Sequence, residues 1–523
     1  TIKDLLLHES GLPPYIRFYL EAIDPKKDGM NIESLNGTKP TVGIENYPKV
    51  EAPYKYSARQ VIDDYFTYDM PIGYFLPNDG YGAGYGQNGY GKTGGVDNEG
   101  KSSQERLAAV AANVQNLADF TKYANEKGVA TGLWTQSYLT PDSNPKTEWQ
   151  LLRDFKNEVK VGGVSTLKTD VAWVGHGYSM QLDGVKTAYD IATTEGKVRP
   201  NIISLDGWAG SQRYCGIWTG DQYGGEWEYI RFHIPTYIGT SLSGNPNIGS
   251  DMDGIFGGNQ LIATRDYQWK SFTPLMLNMD GWGTYAKMPY TFGDPYTGIN
   301  RMYLKTKAQL LPYIYTGAAS AANIDTGNGD TGLPLIRAMF LEYPDDSYAS
   351  SKEMQYQYML GSNLLVAPIY KSTAADDKGN DVRNNIYLPD SKEVWIDYFT
   401  GQQYQGGQVL NNFAAPLWKL PVFVKNGAII PMWEENNTPE QIKKENRIVE
   451  FWPDGKTSYT MFEDDGKFVE NDLKEDGDYG KITKTSYGAH VSTKYTSEVK
   501  DGTATLTAEK STGNYTGYKK DKN

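Results

Sequence analysis

Residues 53–315 alternate between short apolar runs and helical segments, and this alternation is the feature that most limits the possible folds. Strands are predicted at 72–76, 129–134, 164–168, 201–205 and 215–218, and helices at 103–127, 147–159 and 184–195. The first helix has a Ser103 cap, apolar residues at helical spacing and a stop at Gly128. This β-α-β-α order predicts a (β/α)8 TIM barrel, with a doubly wound open sheet as the structural alternative.

Two aspartates follow two of these predicted strands, each among tryptophan, tyrosine and glycine. Asp170 comes just after 164–168, and Asp221 comes just after 215–218. The carboxyl ends of barrel strands meet at one face, where catalytic groups lie. A retaining glycosidase needs two carboxylates there, about 5–5.5 Å apart. On the residues alone, a pair of surface-loop aspartates is an equally good explanation.

The neighbours of the two aspartates predict different chemical roles for them. Lys168 lies two positions before Asp170, so both side chains point to one side of the strand, and the cation favours an ionised carboxylate. Asp221 follows Trp218 and Gly220, and a partly apolar wall there would raise its pKa. The sequence therefore predicts Asp170 as the nucleophile and Asp221 as the general acid/base.

The composition argues against several other kinds of protein. The net charge of −13 disfavours nucleic acid as a partner, and no apolar run approaches the roughly 18–20 residues of a membrane span. The four histidines form no HExxH pattern, and G-x-S-x-G and P-loop motifs are absent from the sequence. The single cysteine, Cys215, can form neither an internal disulfide nor a thiolate cluster. We therefore expect a soluble enzyme that needs no metal and no cofactor.

The aromatic residues favour a carbohydrate substrate. They make up 13% of the chain, and many tryptophans stand beside glycine and aspartate rather than in apolar runs. Sugar rings present C–H faces that stack on aromatic planes, whereas ordinary core packing is the alternative for any single tryptophan. As a group they indicate a neutral sugar ligand.

Motifs in order along the chain resemble family 31 of the glycoside hydrolases. Lys168-Thr169-Asp170 is similar to the nucleophile motif of that family, and 210–221 is similar to its acid/base motif, G-S-x-R-Y…W-x-G-D. Further similar segments are 250–258, 341–345, 357–368, 420–431 and 462–466. The resemblance covers about residues 53–480 and implies a retaining enzyme that acts on an oligosaccharide or α-glucan.

The change of pattern beyond about residue 332, together with this resemblance, predicts the domain organisation. Short alternating runs separated by turn residues indicate antiparallel β-sandwich structure there. The expected domains are a remnant of an N-terminal β domain with a linker at 1–45, the catalytic barrel at 46–330, a proximal β-sandwich at 331–432, and a distal β domain at 433–523. We expect the distal domain to be truncated.

The resemblance also implies a substrate pocket around the two aspartates. Asp79 would bind hydroxyls of the non-reducing glucose, Arg213 would bind the sugar beside the acid/base, and Trp134 and Trp218 would form walls of the −1 pocket. The other predicted sugar contacts are Tyr81, Gln136, Lys168, Trp173, Trp208, Asp253, Asp280 and Trp282.

The chain departs from the common family pattern at three places. Met279-Asp280 stands where a histidine is usual, Ala172-Trp173 replaces an acidic residue, and 206–208 replaces Arg-Ser. With the Gly/Tyr-rich loop after Asp79, these changes resemble a bacterial sub-branch of isomaltosyltransferases and of enzymes that form or degrade cycloalternan. That implies a secreted enzyme whose pocket holds two glucose units and which transfers isomaltosyl groups. An exo-acting α-glucosidase or isomaltosidase and an inactive carbohydrate-binding relative are the alternatives.

Overall fold

Eight parallel strands form the barrel of this computed structural model, which describes residues 6–10, 58–77, 103–135, 139, 154–170, 181–196, 199–205, 207–280, 287–373, 380–442, 446–466 and 489–520. They are β1 Leu6–Ser10, β2 Tyr74–Pro77, β3 Ala130–Thr135, β4 Thr166–Thr169, β5 Asn201–Ser204, β6 Gly216–Trp218, β7 Ile248–Gly249 and β8 Met276–Asp280. Each strand pairs with its neighbours in chain order, and β1 pairs with β8. Asp251, just after β7, bridges to Leu277 of β8 and closes the sheet. The TIM-barrel prediction is therefore confirmed.

Helices cover the outside of this barrel. They are α1 Ala58–Thr67, α2 Ser103–Glu126, α3 Phe155–Lys160, α4 Gln181–Gly196, α5 Trp227–Leu242, α6 Gln260–Lys270, α7 Tyr296–Gln309 and α8 Leu311–Ala321. Leu117 and Phe120 of α2 are buried against Phe75 and Leu133, as the helical spacing predicted. In the described part of the chain, no helix has both the length and the apolar character that a membrane span requires.

The first strand changes the predicted domain organisation. Leu6–Ser10 pairs in parallel with β2 on one side and with β8 on the other, so it belongs to the barrel sheet. The prediction that residues 1–45 are a remnant of an N-terminal β domain is wrong for this segment. The reason is that a five-residue strand carries no signal of its partners, which lie far along the chain.

The C-terminal half is antiparallel β structure, as predicted. One six-stranded sheet has the order β15-β14-β18-β11-β10-β9, where β9 is Ile336–Arg337, β10 Tyr358–Leu360, β11 Leu364–Val366, β14 Val394–Asp397, β15 Gln403–Gln405 and β18 Val422–Lys425. A short helix, α9 Met339–Glu342, follows β9. Paired two-stranded segments are β12 Asp381–Arg383 with β17 Phe413–Ala415, and β13 Ile386–Leu388 with β16 Gln408–Leu410.

Both faces of the six-stranded sheet are buried, because alternate residues face different layers. Leu364 and Val366 pack in a core shared with barrel helices α5–α8. Leu365 and Phe423 point the other way, toward Ile386 of β13, and complete a sandwich. The sheet is therefore held between the barrel and a second β layer.

The distal strands are also attached to the barrel. They are β19 Ile429–Met432, β20 Ile448–Phe451, β21 Lys456–Asp464, β22 His490–Lys500, β23 Thr503–Ala508 and β24 Thr512–Gly513. Strand β19 pairs with β20, so hydrogen bonds cross the predicted domain boundary at 432. Arg199, just before β5, forms an ion pair with Asp464 of β21, and Tyr315 of α8 donates to the same carboxylate at 2.7 Å. We call these three residues the barrel latch.

Candidate active site

Strand β4 delivers Asp170 to the carboxyl-end face of the barrel. Its carboxylate is half-buried, and the Trp134 indole N–H donates to Oδ2 at 2.9 Å. Trp134 lies on the neighbouring strand β3 and is 1% exposed, so its ring is held by packing. A hydrogen bond from a rigid donor fixes the direction of this carboxylate.

Strand β4 also places a buried cation below the site. Lys168 is fully buried inside the barrel, and its Nζ lies 3.7 Å from the centroid of the Trp218 ring, on β6. The Trp218 indole N–H in turn donates to Asp251 Oδ2 at 3.1 Å. The charge of Lys168 lowers the pKa of Asp251, against a larger rise from burial, and also lowers that of Asp221. Lys168 therefore lowers the pKa of two carboxylates that follow strands β6 and β7.

Asp221 stands on the loop that follows β6. The residue before it, Gly220, has φ of +89°, a left-handed conformation that favours glycine and turns the chain outward after the strand. The Asp221 side chain is open to solvent, as a group that meets a substrate must be. Partial desolvation, and then the charge of Asp170, raise its pKa to about 6. This confirms the predicted rise and shows that the two carboxylates are electrostatically coupled.

The far end of the Asp221 loop is anchored by Asp253, which was predicted to bind substrate. Asp253 is fully buried and accepts backbone N–H bonds from Gly225 at 2.5 Å and Asn259 at 3.2 Å. Gly224 passes so near that a Cβ there would lie 1.6 Å from the Asp253 carbonyl oxygen. The Asp253 carboxylate is thus occupied by backbone donors, and we correct its role to holding the loop.

Arg213 is not brought together with the two aspartates. It lies in the short 3-10 helix Ser211–Arg213, just before β6, and lines a cavity of about 220 Å³. Asn201 at the start of β5 and Asn247 just before β7 line the same cavity. These residues mark the amino ends of the strands, whereas Asp170 and Asp221 follow the carboxyl ends. The structure therefore contradicts the prediction that Arg213 binds sugar beside the acid/base.

The predicted tryptophan walls have different environments. Trp134 and Trp218 are each 1% exposed, and the Lys168 ammonium covers one face of Trp218. These two rings support carboxylates, and their role as walls of the −1 pocket stays a prediction. Trp208, on the segment after β5, is 53% exposed.

Several predicted sugar contacts lie outside the described residues. They are Asp79, Tyr81, Gln136, Trp173 and Trp282. Asp280 is the last residue of β8, so its backbone lies at the carboxyl-end face, but its side chain is not among those that the structure describes. These assignments stay predictions.

Sequence reasoning missed an aromatic pair beside the acid/base. Tyr223 is 82% exposed and stacks on Phe256, with ring centroids 5.0 Å apart and planes at 28°. Tyr223 lies two residues after Asp221, on the loop anchored by Asp253. The signal available in the sequence was a tyrosine two residues after a candidate acid, in a Gly-rich segment. The stacking on Phe256 depends on contact between two loops, which the sequence does not show.

A closed parallel barrel with two coupled aspartates after β4 and β6 defines the class of (β/α)8-barrel glycosidases. A model of the glycosyl hydrolases family 31 TIM-barrel domain matches residues 107–317, and a model of the family 31 C-terminal domain matches residues 332–430. Together they match more than half of the chain. The chain therefore belongs to glycosyl hydrolase family 31.

Relatives similar in sequence carry glycosidase names. Alpha-glucosidase 2 of Bacillus thermoamyloliquefaciens is 30% identical over 328 residues, which are 58% of this chain and 39% of that protein. An alpha-xylosidase of Saccharolobus solfataricus is 29% identical over 312 residues, 56% of this chain and 39% of the relative. This chain thus spans about two fifths of the length of these two relatives.

Solved structures show the same fold at low identity. A dextranase of Flavobacterium johnsoniae, complexed with glucose, superposes with a TM-score of 0.69 at 19% identity, over 99% of this chain and 62% of that one. A cycloalternan-forming enzyme of Listeria monocytogenes, in complex with a pentasaccharide substrate, superposes with a TM-score of 0.60 at 19% identity, over 84% of this chain and 46% of that one.

Proposed function

We propose that this protein cleaves α-glucosidic bonds with retention of configuration, through a covalent intermediate on Asp170. The observation that carries the proposal is the electrostatic coupling of Asp221 to Asp170 at the carboxyl-end face of the barrel. One carboxylate is oriented by an indole donor, and the other has a raised pKa. A retaining glycosidase needs one carboxylate as nucleophile and a second acid that can hold a proton, and the raised pKa of Asp221 suits the second role.

The reaction proceeds in two displacements. The Asp170 carboxylate attacks the anomeric carbon while the glycosidic bond breaks, and Asp221 gives its proton to the leaving oxygen. Asp221, now ionised, then takes a proton from water or from an acceptor hydroxyl. The oxygen of that molecule attacks the same carbon, the ester bond to Asp170 breaks, and both side chains return to their starting states.

The coupling between the two carboxylates suits both roles of Asp221. In the free enzyme the charge of Asp170 helps raise the pKa of Asp221, which favours the protonated acid. When Asp170 forms its ester it loses that charge, so this contribution to the pKa of Asp221 disappears. The pKa of Asp221 falls, and the residue becomes the base that the second displacement requires.

We further propose that the enzyme transfers or releases isomaltosyl units from α-1,3/α-1,6-linked gluco-oligosaccharides and acts outside a bacterial cell. The exposed Tyr223 ring, which stacks on Phe256, and the exposed Trp208 ring supply aromatic surfaces for further glucose units. An acceptor sugar stacked there competes with water for the intermediate. The similarity to a dextranase and a cycloalternan-forming enzyme supports the choice of substrate class.

Product analysis tests the two levels of this proposal separately. The protein is given α-glucosyl fluoride, α-isomaltosyl fluoride and isomaltosyl-containing oligosaccharides, and the products are followed by NMR and mass spectrometry. We expect α-configured products, and oligosaccharides longer than the donor. Release of isomaltose alone would overturn transfer and favour the exo-acting hydrolase. Inverted products would overturn the mechanism.

Asp170→Ala separates an enzyme from an inactive carbohydrate-binding relative. We expect turnover to fall by roughly 10⁴-fold or more, because the variant lacks the nucleophile. Binding of the same oligosaccharide, followed by calorimetry, should survive. Unchanged turnover in this variant would remove Asp170 from the mechanism, and a wild-type protein that binds without turnover would favour the inactive relative.

A further inference from the structure

Three side chains form a hydrogen-bonded chain between helix α5 and the acid/base loop. His233 of α5 lies with Nε2 3.1 Å from Thr219 Oγ1, and Thr219 Oγ1 lies 3.0 Å from Gln222 Oε1. The single hydroxyl proton of Thr219 is shared between these two acceptors. The Gln222 carboxamide closes the turn by donating to the Thr219 carbonyl oxygen. Thr219 and Gln222 flank Asp221 two residues before and one residue after it. We call His233, Thr219 and Gln222 the loop clamp.

The histidine of the loop clamp is a fixed element. It is fully buried, and its Nδ1 lies 2.7 Å from the Tyr229 carbonyl oxygen one turn earlier in α5. A carbonyl only accepts, so Nδ1 carries a proton. Burial, and then the charge of Lys270, lower the pKa of His233 to about 3, so the imidazole is neutral and Nε2 is an acceptor.

The surroundings hold His233 in this state. The rings packed against it belong to Tyr229, Phe232 and Tyr237, and Lys270 of α6 is the cation that acts on it. The pKa values of Tyr229 and Tyr237 are raised by burial, so both phenols stay neutral. His233 therefore stays neutral and presents Nε2 as an acceptor to the loop.

The loop clamp acts at one end of the Asp221 loop only. The other end is tied to the segment after β7, where Ile255 N–H donates to the Gln222 carbonyl oxygen at 3.0 Å and Asp253 holds Gly225. Asp221 itself is exposed between these attachments. The backbone on both sides sets the direction of the Asp221 side chain. On the strand side, the Thr219 side chain links this backbone to His233 of the rigid helix α5.

We propose that His233, acting through Thr219 and Gln222, is a positioning residue that aims the Asp221 carboxyl group at the leaving oxygen. The inference rests on the proposed function. Proton transfer requires heavy-atom distances of about 2.6–3.2 Å, so a shifted loop loses acid catalysis. The nucleophile is oriented by Trp134 on another strand, so its attack does not depend on the loop clamp.

This separation predicts a dependence on the leaving group. A sugar alkoxide needs protonation by Asp221, whereas fluoride departs without it. For Thr219→Val we expect kcat/KM to fall about tenfold on an isomaltosyl oligosaccharide. Of α-glucosyl fluoride and α-isomaltosyl fluoride, the donor with the higher wild-type kcat/KM is used, and on it the kcat/KM of the variant should stay within about twofold of wild type. His233→Phe should show the same split, and Thr219→Ser, which keeps the hydroxyl, should restore wild-type values.

Thr236→Val is the matched control. Thr236 lies on the same helix, and its hydroxyl donates to the Phe232 carbonyl oxygen at 2.8 Å, outside the loop clamp. This variant makes the same threonine-to-valine change outside the loop clamp, and its kcat/KM should match that of wild type on both donors. If His233→Phe fails to fold, the comparison of Thr219→Val with Thr219→Ser still decides the outcome.

Two results would overturn the positioning role. One is an equal loss on the oligosaccharide and the fluoride in Thr219→Val, which means a structural effect, and the other is no loss on either donor. Wild-type turnover of the fluoride is measured first. If it is absent, the proposed function itself fails, whereas an equal loss in the variants overturns only the positioning role.

Discussion

The hydrogen bond from Trp134 to Asp170 gives a sharp prediction, because phenylalanine removes the donor and keeps an aromatic ring at this position. Trp134→Phe keeps a buried aromatic plane and deletes the indole N–H that lies 2.9 Å from Oδ2. The carboxylate then loses its fixed direction toward the anomeric carbon. Since attack by Asp170 precedes every product, all donors should be affected.

The size of the effect follows from the type of bond that is lost. A hydrogen bond to a charged group contributes about 1.5–3 kcal/mol. At about 1.4 kcal/mol per factor of ten, that corresponds to a decrease in kcat/KM of about 10- to 100-fold. The decrease should be the same for an oligosaccharide and for the fluoride donor, in contrast to the leaving-group dependence expected for Thr219→Val.

A second buried tryptophan provides the control for this variant. Trp395 on β14 is fully buried, and its indole N–H donates to the Pro389 carbonyl oxygen at 3.0 Å, in the antiparallel sheet. Trp395→Phe makes the same chemical change and should lower the melting temperature without changing kcat/KM. If Trp134→Phe keeps kcat/KM within about twofold of wild type while it folds, the orienting role of Trp134 is refuted.

Three other predictions concern pH and stability. Asp221 must be protonated in the first step, so kcat/KM on an oligosaccharide should fall as the pH rises through about 6, and Asp221→Asn should abolish that limb of the profile. Lys168 lowers the pKa of Asp221, so Lys168→Met should move the same limb to higher pH; a limb that moves down would contradict the electrostatic role of Lys168. Arg199→Met leaves the buried Asp464 without its cation and should lower the unfolding free energy by about 2–3 kcal/mol in urea titrations. Lys186→Met, which breaks an exposed pair on α4, should cost only about 0.5 kcal/mol, and equal costs would contradict the latch.

The sequence predicted those parts of the barrel that have a clear local pattern. Strands β3–β6 lie in short apolar runs, helix α2 has apolar residues at helical spacing, and the structure confirms these elements and α4 within a few residues. Strand β7, with two residues, and strand β1, with five, were not predicted. Their identity comes from pairing with distant strands, which a local pattern cannot encode.

The candidate site was predictable where the relevant neighbours are close in sequence. The raised pKa of Asp221 was inferred from Trp218 and Gly220, and the structure adds Asp170 as the second cause. Arg213 was misassigned because nearness to Asp221 along the chain was taken for nearness in space. A residue just before a barrel strand lies at the amino end, so its position relative to β6 already pointed to the opposite face.

Other features of the site depend on contacts that sequence does not reveal. The backbone donors that occupy Asp253 come from two separate turns, and one of them passes through Gly224, where the close approach requires glycine. The link from His233 to Thr219 joins a helix to the loop before it. Such polar contacts depend on the path of the loop after β6.

The most direct test of the central claim is to trap the covalent intermediate. A 5-fluoro-α-glucosyl or 5-fluoro-α-isomaltosyl fluoride forms the glycosyl-enzyme and slows its breakdown, and peptide mass spectrometry locates the label. We predict one label per protein on the Asp170 carboxylate, and none in Asp170→Ala. A label on Asp221 or on any other side chain would contradict the assignment of Asp170 as the nucleophile.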